Sequence, residues 1–453
     1  MRARLRQVEL ADFGAPTRMP VLSPLLYAER WRLFWDRVRE RGYDAVVVYA
    51  DREHSANLSF LSGFDPRFEE ALLVMGARPE PALLVGNECL GMARAASLPL
   101  RPVLFQDFSL PNQPRDRSRP LRDLLKDEGI ESSSRVGVIG WKTLADRAAT
   151  DLPSYVADTL REVAGELENA TDLLIDPGDG LRVLNDLEQL VSFEYAACQT
   201  STGVRNVLFG LREGMTEQDA VRLLAWNGMP LSCHLMLTAG PRASLGLLSP
   251  SDRPLERGDR FTIAFGIWGA LNCRAGFVVA DESELPREIG DYVDRLVGPY
   301  FEAVVEWYGA LGIGQTGGAL HEIVDRRLGD PFFGIFLNPG HQLHLDEWVN
   351  SPIWPGSQVE LASGMALQVD IIPATGTPYF TTNIEDGIAL ADADLRARWA
   401  RSYPESWQRI ESRRAFMRSR LGIDISDDVL PFSNIPAYLP PFLLSPDRVM
   451  TAS

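Results

Sequence analysis

Three side chains in the second half of the chain have types and positions suited to acid–base or metal chemistry. They are His341, directly after Gly340; Asp370, five residues beyond Met365; and Glu385, within Asn383-Ile384-Glu385-Asp386-Gly387. Two carboxylates held close raise one pKa, which gives an acid and a base at neutral pH. That pair suits C–N cleavage or proton abstraction. His341 as general base would need Asp370 or Glu385 to orient its ring and raise its pKa. Blander roles stay open: a hydrogen-bonded core histidine, carboxylates in ion pairs with Arg274, or a strand that simply ends in a turn at Gly387. His344 lies three residues beyond His341, so on a straight strand the two face opposite ways; a bend would bring both into one cavity. The chain has only five histidines (the others are His54, His234 and His321), which limits any multi-histidine metal site.

The elements that must position these residues fall into two patterns. Ser23 can cap a helix over residues 24–41 that Gly42 ends. Strands at 44–50, 71–75, 81–85 and 136–139, with a helix at 119–129, imply an α/β domain over residues 1–177. Residues 1–23 read as an irregular arm. Asp176-Pro177-Gly178-Asp179-Gly180 breaks the pattern. A long helix follows from about Asn185 to Leu211, and Thr216-Glu217-Gln218-Asp219 resembles a capping box. Residues 231–283 and 331–392 are strand-rich, with helices between, so 178–392 reads as an α+β core with helices on one face of an antiparallel sheet. In 393–453, residues up to about 421 read as helix. Residues 427–448 are too rich in proline for a helix and too apolar for a solvated tail, and are expected to pack on the core.

Composition bounds the function. Lys and Arg number 45 against 62 Asp and Glu, a net charge of −17, in a chain of 453 residues. That argues against binding nucleic acid or an anionic membrane, both of which need a cationic footprint. No apolar run is long enough to span a bilayer, and the basic N-terminus is not followed by a signal-peptide core; a cytoplasmic protein is expected. The four cysteines, Cys89, Cys198, Cys233 and Cys273, form no CxxC pair and read as scattered reduced thiols.

The order of these motifs resembles the pita-bread family of creatinase, prolidase, aminopeptidase P and methionine aminopeptidase. It comprises a small α/β domain, a linking helix, a hairpin after Gly258-Asp259, then Gly340-His341, Gly364-Met365 and Glu385-Asp386-Gly387. The resemblance covers residues 24–392, and Ser59-Phe60-Leu61-Ser62-Gly63-Phe64 is similar to a run in its two-domain members. It implies an α/β N-terminal domain followed by a pita-bread domain. The family's metallopeptidases hold two metals with two aspartates, a histidine and two glutamates. Here those positions fall on Ala264, on or near Asn272, and on His341, Asp370 and Glu385. A two-metal centre is therefore not expected; no cofactor is, although a single divalent cation on His341, Asp370 and Glu385 is possible.

The hairpin Phe265-Gly266-Ile267-Trp268-Gly269-Ala270-Leu271-Asn272-Cys273-Arg274 is closest to that of creatinase, a metal-free member that hydrolyses a C–N bond. The family's two further histidines fall on Leu247 and Trp348. Asp346-Glu347-Trp348 resembles a run in the family's dimethylsulfoniopropionate-cleaving lyases. The resemblance implies His341, Asp370 and Glu385 as catalytic residues, and Arg67, Trp268, Asn272, Arg274, His344 and Trp348 as substrate contacts. Trp226, Trp268, Trp348 and Trp354 could line a cation-binding cage. Arg67 would reach the neighbouring active site of a homodimer. The expected function is hydrolysis of a C–N bond in a small amide or guanidino compound. The alternatives are a lyase of a small cationic or sulfonium substrate, and an inactive member that binds a small ligand.

Overall fold

The computed structural model describes residues Arg2–Ser453. Ser23 caps the helix Pro24–Glu40 by accepting from the Leu26 amide, which satisfies one of the amides that a helix start leaves without a partner. Contacts divide the chain into two units. One is Leu22–Val183; the other joins the residues before it to Leu184–Ser453.

The Leu22–Val183 unit is built on a six-stranded mixed sheet. Its strand order is Arg101–Leu104, Ala82–Val85, Ala71–Met75, Ala45–Ala50, Arg135–Ile139, Glu166–Asn169. Ala45–Ala50 is buried at every position, as a strand covered on both faces should be. Leu121–Asp127 and Ser154–Val163 supply apolar side chains to its core.

The second unit carries a seven-stranded antiparallel sheet. Its path is His341–Gln342, Ala366–Asp370, Asn383–Leu390, Ala270–Phe277, Arg260–Ile267, Met236–Ala239, with Val429–Pro431 added to Asn383–Leu390. The long helix Leu187–Gly210 lies on one face, where Thr200 Oγ1 reaches Asn272 Oδ1 at 2.6 Å. The Thr216 capping box forms with Asp219 at the start of Glu217–Arg222.

Two expectations change at the ends of the chain. Ala3–Gln7 is not an irregular arm: it pairs antiparallel with Arg448–Ala452. The helix expected after residue 391 is two helices, Ala393–Ser402 and Pro404–Phe416. Pro404 cannot continue the first and is well placed to start the second.

The proline-rich tail packs on the same sheet face as the long helix. Arg274, 1 % exposed, donates through Nη2 to Asp386 Oδ2 at 2.8 Å. It also donates to the carbonyls of Tyr438 (2.8 Å), Ile435 (2.6 Å) and Cys273 (2.6 Å). Asp386 accepts in turn from the Ala437 amide at 2.8 Å. Irregular backbone can be buried only when its polar groups find partners, and this pair supplies them. Arg274→Met should leave Asp386 charged and unpaired in the interior, at a cost of about 3–5 kcal/mol. Urea unfolding should show this as a lower midpoint, with part of the loss recovered when Asp386→Leu is added.

Candidate active site

A two-residue turn sets the register of the site. Trp268-Gly269 joins Arg260–Ile267 to Ala270–Phe277. Gly269 has φ +95°, and a Cβ there would lie 2.6 Å from Phe193 Cδ1, so no other residue fits the turn without strain. The turn fixes Ala264 opposite Cys273. Cys273 then opposes Glu385, and Glu385 opposes Asp370. Residues directly opposite on neighbouring strands share a face, so Ala264, Cys273, Glu385 and Asp370 form one row. His341 pairs with Gln368, two residues from Asp370, and so projects to the same face. Gly340 before it has φ +122°, and a Cβ would meet Gln368 O at 3.0 Å.

The row brings three of the sequence candidates together. His341 Nε2 is 3.3 Å from Glu385 Oε1 and 3.9 Å from Asp370 Oδ2. Candidate ligand atoms of all three lie within 4.8 Å of one another. The Trp348 ring stacks on the His341 imidazole, with centroids 4.2 Å apart and planes 17° apart. His341 Nδ1 is 3.2 Å from the Gln342 carbonyl oxygen. A carbonyl only accepts, so Nδ1 is the donor in this contact, and Nε2 is the ring nitrogen that faces the carboxyls.

Asn272, Arg274, Trp268 and His344 fall outside the row. Asn272 and Arg274 alternate with Cys273 and point to the opposite face, where Asn272 Nδ2 donates to Asp386 Oδ1 at 2.7 Å. The residue of this strand that stands in the row is Cys273, next to Asn272, and its Sγ donates to Glu385 Oε2 at 2.7 Å. The only sequence clue was the hairpin register. His344 is buried with its ring edge-on to Phe193 at 5.0 Å. Trp226 is half exposed and Trp268 sits in the hairpin turn. Neither they nor Trp354 line the cavity beside the row, so the four-tryptophan cage does not form. Arg67, in the first unit, donates through Nε to the Arg52 carbonyl at 3.1 Å.

That cavity measures about 800 Å³. Asp370, Glu385, Cys273 and Ala264 line it, as do Trp348 and Glu347; Leu247, at the other position compared with a family histidine, also lines it. No lining residue comes from the tail. His341 is fully buried behind Trp348 and reaches the cavity through its carboxyl partners.

Burial, then the neighbouring Glu347, pushes the Glu385 carboxyl up to about 8. Burial, then Glu385, pushes Asp370 well above the carboxylate range. Burial also raises Glu347 and the Cys273 thiol. Three carboxyls therefore share one imidazole, and the nearest arginine on these strands, Arg274, faces away. Asp370 Oδ1 is buried with no hydrogen-bond partner.

No family model matches the chain, and no curated protein does either. Solved structures do. A prolidase from Pyrococcus horikoshii OT3 is 17% identical with a TM-score of 0.62, over 80% of this chain and 95% of that one. A dipeptidase from Mycobacterium ulcerans is 17% identical with a TM-score of 0.63, over 82% and 94%. An X-Pro aminopeptidase from Thermotoga maritima MSB8 is 18% identical with a TM-score of 0.60, over 80% and 95%. The fold is the pita-bread fold of these peptidases, on an α/β N-terminal domain. Among the described residues no helix is long and apolar enough to cross a membrane.

The raised carboxyls fix the direction of pH dependence in the metal-free protein. Folded Glu385 holds its proton up to about pH 8, whereas an unfolded glutamate releases it near 4.3. Between these values the native state binds more protons, so stability is full below the unfolded pKa and falls as pH rises toward 8. The loss should be on the order of a few kcal/mol. Urea unfolding at about pH 5 and about pH 8 measures it, and Glu385→Gln should make the decline shallower.

Proposed function

We propose that this chain hydrolyses the C–N bond of a small amide at the cavity face of Asp370 and Glu385. The observation that carries the reading is the pair itself. Two adjacent buried carboxyls, both with raised pKa, open onto a cavity of about 800 Å³. In the metal-free protein a carboxyl near 8 releases and regains its proton close to neutral pH, as acid–base catalysis of amide cleavage needs. The prolidase, dipeptidase and X-Pro aminopeptidase that share the fold support the same bond class. A cavity free of tail residues favours this over an inactive, self-filled site.

The donor set fits one divalent cation. His341 offers the Nε2 lone pair, Asp370 an oxygen without a partner, and Glu385 a second carboxylate. Ala264, in the same row, offers nothing, so a second cation would lack a side-chain donor there. The imidazole–carboxylate set suits zinc or a similar borderline ion. When bound, such an ion polarises a carbonyl and acidifies water.

The chain's own residues divide the remaining work. The Gln342 carbonyl fixes the His341 tautomer, and Trp348 covers one face of its ring. The Cys273 thiol anchors Glu385 through Oε2. Glu347 lines the cavity and is raised too. It is the carboxyl left to move protons at the substrate when Asp370 and Glu385 hold a cation. The apolar side chains at Ala264, Leu247 and Trp348 narrow the polar footprint to this cluster.

Amine release from a panel of dipeptides and N-acyl amino acids, with zinc-loaded and metal-free protein, tests the reading. Glu385→Gln and Glu347→Gln should each lower turnover by about 10²–10⁴-fold. Plasma mass spectrometry should find one zinc per chain, lost in the His341→Ala, Asp370→Asn double variant. Absence of amine release from every panel member by the wild-type chain would overturn the proposal.

A further inference from the structure

We infer that Arg260 is the specificity residue of this cavity, holding the carboxylate of a substrate whose apolar body runs along the cavity to the acid cluster. The inference rests on the reading of the cavity as a substrate site. Arg260 is the one cation among the described residues that line it, against the carboxyls of Glu347, Asp370 and Glu385. Its partners are Ser244 Oγ at 2.8 Å, the Pro378 carbonyl at 3.4 Å and the face of Phe380 at 5.8 Å. None is a carboxylate. A guanidinium beside an apolar wall, with donors still to place, is suited to a carboxylate.

The strand also sets a length. Arg260, Thr262 and Ala264 alternate along Arg260–Ile267 and all line the cavity, so they share its face. Four residues of strand span roughly 13 Å, and Ala264 is level with Cys273 and Glu385 in the row. A substrate carboxylate at Arg260 therefore lies about that far from the acid cluster. The lining also carries large apolar side chains. Leu245, Leu247 and Phe336 are each more than 70 % exposed, a costly arrangement unless a ligand covers them. Arg260, the one cation in the lining, sets the orientation by attracting the anionic end. The substrate class is thus a linear amphiphile, with a carboxylate at one end, a medium-length apolar chain, and the scissile amide at the other.

Calorimetric titration of the full chain with octanoate, 1-octanol and acetate tests this without requiring turnover. Octanoate should bind more tightly than octanol, and acetate, which lacks the chain, should bind weakly. Arg260→Met should weaken octanoate by about 10–100-fold, the range for losing a hydrogen bond to a charged group, and leave octanol unchanged. Retained octanol binding shows that the variant cavity is intact. Arg260→Lys should recover part of the octanoate affinity. Equal affinity for octanoate and octanol in the wild-type chain, or full octanoate affinity in Arg260→Met, overturns the inference. Arg260-dependent octanoate binding with no amide turnover would instead sink the hydrolase reading and leave this one standing.

Discussion

The buried pair Arg274–Asp386 is the interaction on which the rest of this unit depends. Strand alternation forces a choice on Ala270–Phe277 and Asn383–Leu390. Arg274 and Asp386 go to one face, and their neighbours Cys273 and Glu385 go to the other. The pair anchors irregular tail backbone on its own face through three carbonyls or amides of residues 435–438. It also withdraws a cation from the opposite face. The raised carboxyls of Glu385 and Asp370 follow from burial and from their carboxyl neighbours, and Arg274, turned away, offsets only part of the rise at Glu385.

The cavity combines a small charged cluster with apolar surroundings. Ala264, Leu247 and Trp348 hold positions where the family resemblance places metal ligands or histidines. The structure puts all three on the cavity wall rather than in the interior of another layer. The pita-bread fold here surrounds that cluster with a largely apolar lining. A lining of this kind favours ligands with substantial apolar surface over small, fully polar ones.

Much of this was legible in the sequence, and the failures have physical causes. The fold followed from periodicity and motif order, and His341, Asp370 and Glu385 stood out because each lies at a glycine-marked strand. The side-chain face of the hairpin did not. A shift of one residue exchanges faces, so Asn272 and Arg274 were read as facing a site that in fact belongs to Cys273. Glu347 stood in plain view within Asp346-Glu347-Trp348, but nothing local distinguishes a cavity carboxyl from a solvated one. Tryptophan positions along the chain gave no geometry, and of the four considered only Trp348 lines the cavity. The pairing of Ala3–Gln7 was invisible because its partner strand has no local signal.

That last pairing bears on how the protein is made. Arg4 and Thr451 are ladder partners separated by 447 residues. Leu22–Val183 is one continuous stretch and can fold while the ribosome is still translating. The other unit cannot close its terminal ladder until its last strand has been released. At ordinary elongation rates the wait is on the order of tens of seconds. Throughout it, Ala3–Gln7 is a strand without its ladder partner, the stage of biogenesis at which a chaperone would have most to shield.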